Sequence, residues 1–181
     1  MFQICSYVSD LMVLCIGSKG AGKTLLLSLL EDKTFNPDTC LVPTVGVNIF
    51  TLHYTTEVGK KRAEIQVREL GGELCPLWSD YLKIERNVIF VINSQDLSRA
   101  GLVAIKLCEA LSSLEEVSRE SNRTCRLVVV WTRAGDITTF SRILRLRQLV
   151  RDSSVLCSEI VFDIESLAGL SSLRDWVVQC Q

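Results

Sequence analysis

The chain has 181 residues, of which 48% are hydrophobic and 23% charged, a balance typical of one globular domain and not of a disordered chain. Its 20 basic and 21 acidic residues give a net charge of -1, which offers nucleic acid no excess of cations to bind. The longest apolar run, residues 11–16, is far shorter than the roughly 20 residues of a transmembrane helix.

The predicted elements alternate between apolar strands and helices. Six strands are expected at residues 11–16, 47–54, 62–70, 87–92, 127–131 and 159–164, and five helices at 23–33, 78–84, 98–117, 138–151 and 170–178. Apolar strands separated by helices form a parallel sheet that is covered on both faces. The Gly-containing connection at residues 55–61 predicts a hairpin and one antiparallel edge strand. We therefore expect a single α/β domain over residues 1–181, with its core at about 10–180.

Apolar spacing predicts which faces of two helices pack on the sheet. In the helix at 98–117, the residues expected near one face are Leu102, Ile105, Ala110 and Leu114. In the helix at 138–151, the expected apolar side holds Ile143, Leu146 and Val150, while Arg145, Arg147 and Arg151 face away.

The cysteines and the chain ends predict a cytoplasmic protein. Its 8 cysteines are scattered without a C-x-x-C pair, and no signal-peptide pattern is present, so a reducing compartment is expected. Phe2 excludes N-myristoylation, and the position of Cys180 does not fit a prenylation motif. We expect no lipid anchor and no transmembrane segment.

The strongest motif follows the first strand and matches G-x-x-x-x-G-K-[ST]. Its residues are Gly17, Ser18, Lys19, Gly20, Ala21, Gly22, Lys23 and Thr24. Glycines let backbone N–H groups turn toward phosphate oxygens, and the next helix offers its positive end. Lys23 is expected to reach the β- and γ-phosphates, and the Thr24 hydroxyl to join a Mg²⁺ shell. A Gly-rich structural turn is the alternative interpretation.

Two further motifs have spacings that suit a nucleotide switch. Thr44, in the sequence PTVG, would bring a hydroxyl to Mg²⁺. Glu69, in RELGG, would hold a magnesium-bound water, and the Gly72 N–H would donate to a γ-phosphate. Taken singly, the motifs also fit a loop-to-strand entry and a tight turn; the joint pattern is far more specific than either motif.

These motifs, with PLWSDYL at residues 76–82, resemble the ADP-ribosylation-factor-like small GTPases of the Ras superfamily. The resemblance covers about residues 10–180. It implies a P-loop G domain with a six-stranded, mostly parallel sheet and about five helices, and it implies GTP/GDP and Mg²⁺ as ligands. It also implies two switch loops, at about residues 34–46 and 71–80, which the γ-phosphate orders for effector binding. An exchange factor, a GTPase-activating protein and a role in intracellular traffic are implied as well.

The chain departs from the family pattern at three positions of the site. Glu69 replaces an Asp, which is expected to weaken coupling to Mg²⁺. Glu73 stands in or near the place of the Gln that orients the attacking water, and an ionised carboxylate there predicts slow or absent hydrolysis. At most, the chain is expected to be a slow GTPase. Asp136 is the candidate guanine reader, although the family's Asn and Lys are missing, so base discrimination is expected to be reduced.

Two basic residues have several possible roles, and two other functions fit the sequence. Lys19 would neutralise phosphate charge, block an incoming arginine finger, or point into solvent. Arg68 would contact an effector protein or be an exposed strand charge. A pseudo-GTPase scaffold with little nucleotide dependence is the main alternative function. A small P-loop kinase is the other, with a lid formed by Arg142, Arg145, Arg147 and Arg151.

Overall fold

A six-stranded sheet with helices on both faces forms the computed structural model, which describes residues 12–31, 42–55, 62–133 and 135–180. The strands are β1 (Met12–Gly17), β2 (Val47–Thr55), β3 (Arg62–Leu70), β4 (Asn87–Asn93), β5 (Arg126–Thr132) and β6 (Leu156–Phe162). The helices are α1 (Lys23–Leu30), α2 (Trp78–Leu82), α3 (Ala100–Ser121), α4 (Ile137–Ile143), α5 (Leu146–Asp152) and α6 (Leu170–Gln179). Two short 3-10 helices lie at Gly72–Leu77 and Leu97–Arg99.

The strand order is β2-β3-β1-β4-β5-β6, and only the β2–β3 pair is antiparallel. This confirms the predicted α/β fold with a mostly parallel sheet. The connection of the β2–β3 hairpin lies outside the described residues. Because the parallel strands run in one direction, the loops after β1, β3, β4 and β5 meet at one edge of the sheet.

Two apolar layers cover the two faces of the sheet. Leu14 and Ile16 of β1 face the layer that contains α3, while Val13 and Cys15 face the layer that contains α1 and α6. All four side chains are buried, as the alternation of a central strand requires. The loops at the edge of the sheet are thus attached to strands that are packed on both faces.

The predicted helix at 138–151 is in fact two helices, so the described residues contain six α-helices and not five. The break lies at Arg145, whose φ of 49° is left-handed. Leu144 and Leu146 are both buried, yet residues two apart project to nearly opposite sides of a continuous helix. The break lets both leucines reach the core, and it leaves Ile143 47% exposed, contrary to the predicted apolar side.

Smaller corrections concern α3, β6 and α1. Leu102 and Ile105 were expected on the packed face of α3, but they are 53% and 57% exposed. The buried residues of α3 follow a register that includes Val103, Leu107, Ala110, Leu111 and Leu114. The last strand begins at Leu156, before the predicted start at 159, and α1 ends at Leu30. None of the helices in the described ranges has both the length and the apolar character of a membrane span.

Candidate functional site

The loop between β1 and α1 has the backbone of a phosphate-binding loop. Gly17, Gly20 and Gly22 have φ values of 151°, 77° and 91°, a region that favours glycine. A Cβ on Gly17 would lie 2.3 Å from the carbonyl oxygen of Val91. Gly22 is the N-cap of α1 and supplies no side-chain cap, so the first-turn amides of α1 suit phosphate oxygens.

Lys23 begins α1 and is buried beneath this loop, with 5% of its surface exposed. Its Nζ donates to the carbonyl oxygens of Gly17 and Ser18 at 2.8 and 3.1 Å. Burial lowers the pKa of Lys23 because it disfavours the charged form, although the charge of Glu69 opposes this effect. A phosphate beside Nζ would favour the ammonium form, so the predicted role of Lys23 fits its surroundings.

Thr24, Thr44 and Glu69 come from three separate segments and meet beside the loop. Thr24 Oγ1 donates to Glu69 Oε1 at 2.6 Å and lies 3.0 Å from Thr44 Oγ1. Thr44 Oγ1 is 3.3 Å from the same carboxylate oxygen. Asn48 Nδ2 donates to Glu69 Oε2 at 3.1 Å. The carboxylate is almost fully buried, so these contacts hold it in a fixed position.

This group of hydroxyl and carboxylate oxygens fits Mg²⁺. The described residues contain no group of three or more His, Cys, Asp or Glu side chains suited to a metal ion. Mg²⁺ needs no such group, because it prefers oxygen ligands and combines few protein ligands with phosphates and water. Thr24 and Thr44 would bind the ion through their hydroxyls, and Glu69 would bind it through a water.

Gly71 and Gly72 bring the segment after β3 against both loops. A Cβ on Gly72 would lie 2.2 Å from the Lys19 backbone nitrogen, and one on Gly71 would lie 2.4 Å from the Thr44 carbonyl oxygen. The Gly71 N–H donates to Gly46 O at 2.9 Å. Only residues without a Cβ permit this approach.

The loops enclose a cavity of about 350 Å³. Its lining residues are Lys19, Gly20, Gly22, Lys23, Thr24, Leu25, Val42, Pro43, Thr44, Glu69, Gly72 and Arg133. The structure thus gathers most of the predicted site residues around one cavity. Gly17 and Ser18 do not line the cavity, but their carbonyl oxygens accept hydrogen bonds from Lys23, which does.

Glu73 and Lys19 form an ion pair at the edge of this cavity. Glu73 lies in the 3-10 helix Gly72–Leu77, and its Oε1 accepts from Lys19 Nζ at 2.5 Å. The hydrogen bond from Lys19 and its charge lower the pKa of Glu73. Lys19 therefore has a partner within the chain, which sequence inspection did not anticipate.

The loop after β5 places Arg133 at the cavity and Asp136 at the start of α4. Asp136 is exposed and caps α4, with its Oδ1 accepting from the Thr139 N–H at 2.8 Å. Hydrogen bonding to Thr139 also lowers the pKa of Asp136. Asp136 does not line the cavity, whereas Arg133, with a left-handed φ of 61°, does. Reading of guanine by Asp136 stays a prediction.

Sequence inspection missed Asn48, Thr132 and Arg133. Asn48 pairs directly with Glu69 in the β2–β3 register, which depends on the geometry of the hairpin. Thr132 ends β5, and its hydroxyl donates to Ala21 O at 2.6 Å. Thr132 thereby joins β5 to the phosphate loop by a hydrogen bond. This tertiary contact has no local signal in the sequence.

Replacing Thr132 by valine is expected to lower the free energy of unfolding by about 1–3 kcal/mol, because the buried Ala21 carbonyl loses its donor. Urea denaturation of the valine variant would measure this loss. Thr132→Ser keeps the hydroxyl and is the matched control. A valine variant that unfolds at the wild-type urea concentration would contradict this role of Thr132.

Arg68 is engaged within the chain. Its Nη1 donates to Glu85 Oε1 at 2.9 Å, and its guanidinium lies 5.4 Å from the centre of the Tyr81 ring. Burial raises the pKa of Glu85, which Arg68 partly opposes. With 20% of its side chain exposed, Arg68 has a structural role and a limited surface for an effector.

Comparison with known proteins agrees with the fold and the motifs. The family model of the ADP-ribosylation factor family matches residues 2–179. The chain is similar to human ADP-ribosylation factor-like protein 16, with 28% identity over 149 residues, covering 77% of this chain and 68% of that protein.

Among the solved structures that share the fold are two with bound nucleotides. One is the Arl6 BBS3 small GTPase from Trypanosoma brucei with the bound nucleotide analogue GppNp, at a TM-score of 0.69 and 21% identity, covering 93% of this chain and 95% of that one. The other is Methanosarcina barkeri Roco2 RocCORdC bound to GDP, at 0.65 and 17%, covering 93% of this chain and 48% of that one. Since the family model spans nearly the whole sequence, this chain belongs to the ADP-ribosylation factor family, as an Arf-like small GTPase.

Proposed function

We propose that this chain is a magnesium-dependent GTP switch with slow intrinsic hydrolysis. The observation that carries the proposal is the contact of Thr24, Thr44 and Glu69 beside the buried amine of Lys23. A Gly-rich structural turn would not require a contact between three separate segments, each of which has a predicted role in nucleotide binding.

Some residues of the site bind phosphate, and others bind Mg²⁺. The amides at the start of α1 and the Lys23 amine bind phosphate oxygens, while Thr24 and Thr44 hold the Mg²⁺ that neutralises them. Gly72 lies close enough to the phosphate loop for its N–H to bind the γ-phosphate. Loss of that phosphate would remove the acceptor of the Gly72 N–H and weaken the hold on Thr44, so both segments would respond to it.

The surface beside Thr44 supports effector binding. Val42, Val45, Val47, Ile49 and Leu77 are exposed apolar side chains, and Val45 is 89% exposed. They flank Thr44 in the chain or follow Gly72, so a change at the γ-phosphate would alter their positions. Exposed apolar side chains near a site of conformational change are suited to recognition by a partner protein.

The second candidate function is that of a pseudo-GTPase scaffold, and the position of Asp136 at the start of α4 favours it. Its carboxylate caps α4 by accepting from the Thr139 N–H, which uses part of the accepting capacity that guanine N–H groups would need. A scaffold would bind the same partners whether or not GTP is present.

Equilibrium titration with fluorescent GTP, GDP and ATP, with Mg²⁺ or with EDTA, tests the proposal. We expect GTP to bind, Mg²⁺ to strengthen binding, and excess unlabelled GTP to displace the probe better than ATP. Equal displacement by ATP, or binding that EDTA leaves unchanged, would contradict the proposal. Failure of every nucleotide to bind would favour the scaffold.

Glu73→Gln is expected to raise the single-turnover rate of GTP hydrolysis by about tenfold or more, because an amide can orient water and does not repel the γ-phosphate. The rate is measured at saturating GTP, so that differences in affinity do not contribute. Glu109→Gln, which neutralises an exposed carboxylate on α3, is the control. Equal rates for wild type and Glu73→Gln would show that Glu73 does not limit hydrolysis.

A further inference from the structure

We propose that Lys19 exchanges partners, binding Glu73 when the γ-phosphate is absent and binding the γ-phosphate when GTP is present. The inference rests on the proposed function and assigns to Lys19 the discrimination between GTP and GDP. It also makes the Glu73 side chain a direct reporter of the γ-phosphate.

The ion pair joins the two segments that a γ-phosphate would touch. Lys19 belongs to the phosphate loop and lines the cavity, together with Lys23 and Thr24. Its backbone nitrogen lies against Gly72, where a Cβ would be only 2.2 Å away. On its other side, Arg99 Nη1 lies 3.3 Å from the Lys19 carbonyl oxygen. The Lys19 backbone is thus fixed at the phosphate side of the loop, and its amine is the part that is free to change partner.

The exposure of the pair makes the exchange feasible. The Lys19 and Glu73 side chains are 53% and 63% exposed, and exposed ion pairs contribute little to stability. A terminal phosphate carries more charge than one carboxylate and accepts stronger hydrogen bonds from ammonium groups. Phosphate therefore displaces the carboxylate from Lys19, and the same negative charge repels Glu73.

The exchange has a consequence for the segment after β3. Gly72 stays against the phosphate loop, because its contact is with backbone atoms of Lys19. Glu73, the next residue, loses its partner and turns toward solvent. The 3-10 helix Gly72–Leu77 thereby presents a free carboxylate only in the GTP state.

Titration of the Glu73 carboxylate by NMR tests the exchange without measuring activity. Without nucleotide, Lys19→Ala is expected to raise the pKa of Glu73, since Lys19 lowers it in this structure. The matched control Lys106→Ala, which removes the partner of Glu109 on α3, is expected to leave Glu73 unchanged. In the wild type, GTPγS is expected to raise the pKa of Glu73, while GDP leaves it low.

A double-mutant cycle that measures nucleotide affinity distinguishes an exchange of partners by Lys19 from simple repulsion between Glu73 and the γ-phosphate. Glu73→Gln is expected to raise GTPγS affinity about two- to fivefold by freeing Lys19, with GDP affinity changed by less than about twofold. Lys19→Ala is expected to lower GTPγS affinity about tenfold, the usual effect of removing a charged hydrogen bond. In the Lys19→Ala background, Glu73→Gln should give a clearly smaller gain, because no amine remains to be freed.

The outcomes distinguish this inference from the proposed function. GTPγS binding with an unmoved Glu73 pKa, or an equal gain from Glu73→Gln in both backgrounds, would overturn the exchange and leave the switch proposal intact. Failure of the wild type to bind GTPγS would contradict both. In that case, the titration without nucleotide would still show whether Lys19 and Glu73 pair in solution.

Discussion

Lys23→Met is expected to lower the affinity for GTP by about 100-fold or more, because the variant loses charged hydrogen bonds to phosphate. The structure buries the Lys23 amine under the phosphate loop, where it donates to Gly17 O and Ser18 O. No other amine in the described residues lies at that position, so nothing replaces it. Methionine matches the lysine side chain as far as Cε and lacks the amine with its charge and donors.

The fold of this variant should survive. Methionine needs no hydrogen-bond partner, and its burial offsets part of the stabilisation lost at the two carbonyls. Thermal unfolding checks this point, and Lys83→Met on the exposed end of α2 controls for the loss of a lysine. A folded Lys23→Met variant that binds GTP within about threefold of wild type would contradict the assigned role of Lys23.

Glu69→Gln is expected to remove most of the effect of Mg²⁺ on GTP binding, with a loss of about tenfold or more in the presence of the ion. Glu69 accepts from Thr24 and Asn48 and lies within 3.3 Å of the Thr44 hydroxyl. Glutamine matches its shape but carries no charge, so it binds a magnesium-bound water less well and holds the threonine hydroxyls less firmly. Titrations in Mg²⁺ and in EDTA measure the difference.

Two controls make this result specific to the site. Glu69→Asp keeps the charge and restores the residue type of the family pattern, so it should retain the magnesium effect. Glu85→Gln neutralises another poorly exposed carboxylate, which pairs with Arg68 away from the cavity. Magnesium stimulation of wild-type size in Glu69→Gln would exclude Glu69 from the metal site.

The sequence predicted the parts of the site whose geometry is local or is set by strand order. The phosphate loop is one strand, one loop and one helix, so eight consecutive residues determine its form. Thr44 and Glu69 were expected to share a Mg²⁺ site with Thr24 because of their motifs, and the strand order brings them together, since β3 lies beside β1 and β2 pairs with β3. Thr24 Oγ1 and Glu69 Oε1 are in contact at 2.6 Å, and binding of Mg²⁺ by this group stays a prediction.

Features set by tertiary packing were not predictable. The break at Arg145 lets Leu144 and Leu146 both reach the core, whereas the predicted apolar side of one continuous helix left Leu144 out. Whether Asp136 faces the cavity or caps α4 depends on the path of the loop after β5, which its sequence does not fix. The pairing of Lys19 with Glu73 joins residues 54 positions apart and follows from the approach of Gly72 to the phosphate loop.

Hydrogen–deuterium exchange of the GTPγS-bound and GDP-bound protein tests whether this chain changes conformation with its nucleotide. We expect different exchange in residues 42–49 and 72–77, because Thr44, Gly72 and Glu73 each respond to the γ-phosphate. Strands β4 and β5 should exchange equally in both states and provide the internal reference. Identical exchange in both segments, with both nucleotides bound, would contradict the switch and favour a scaffold.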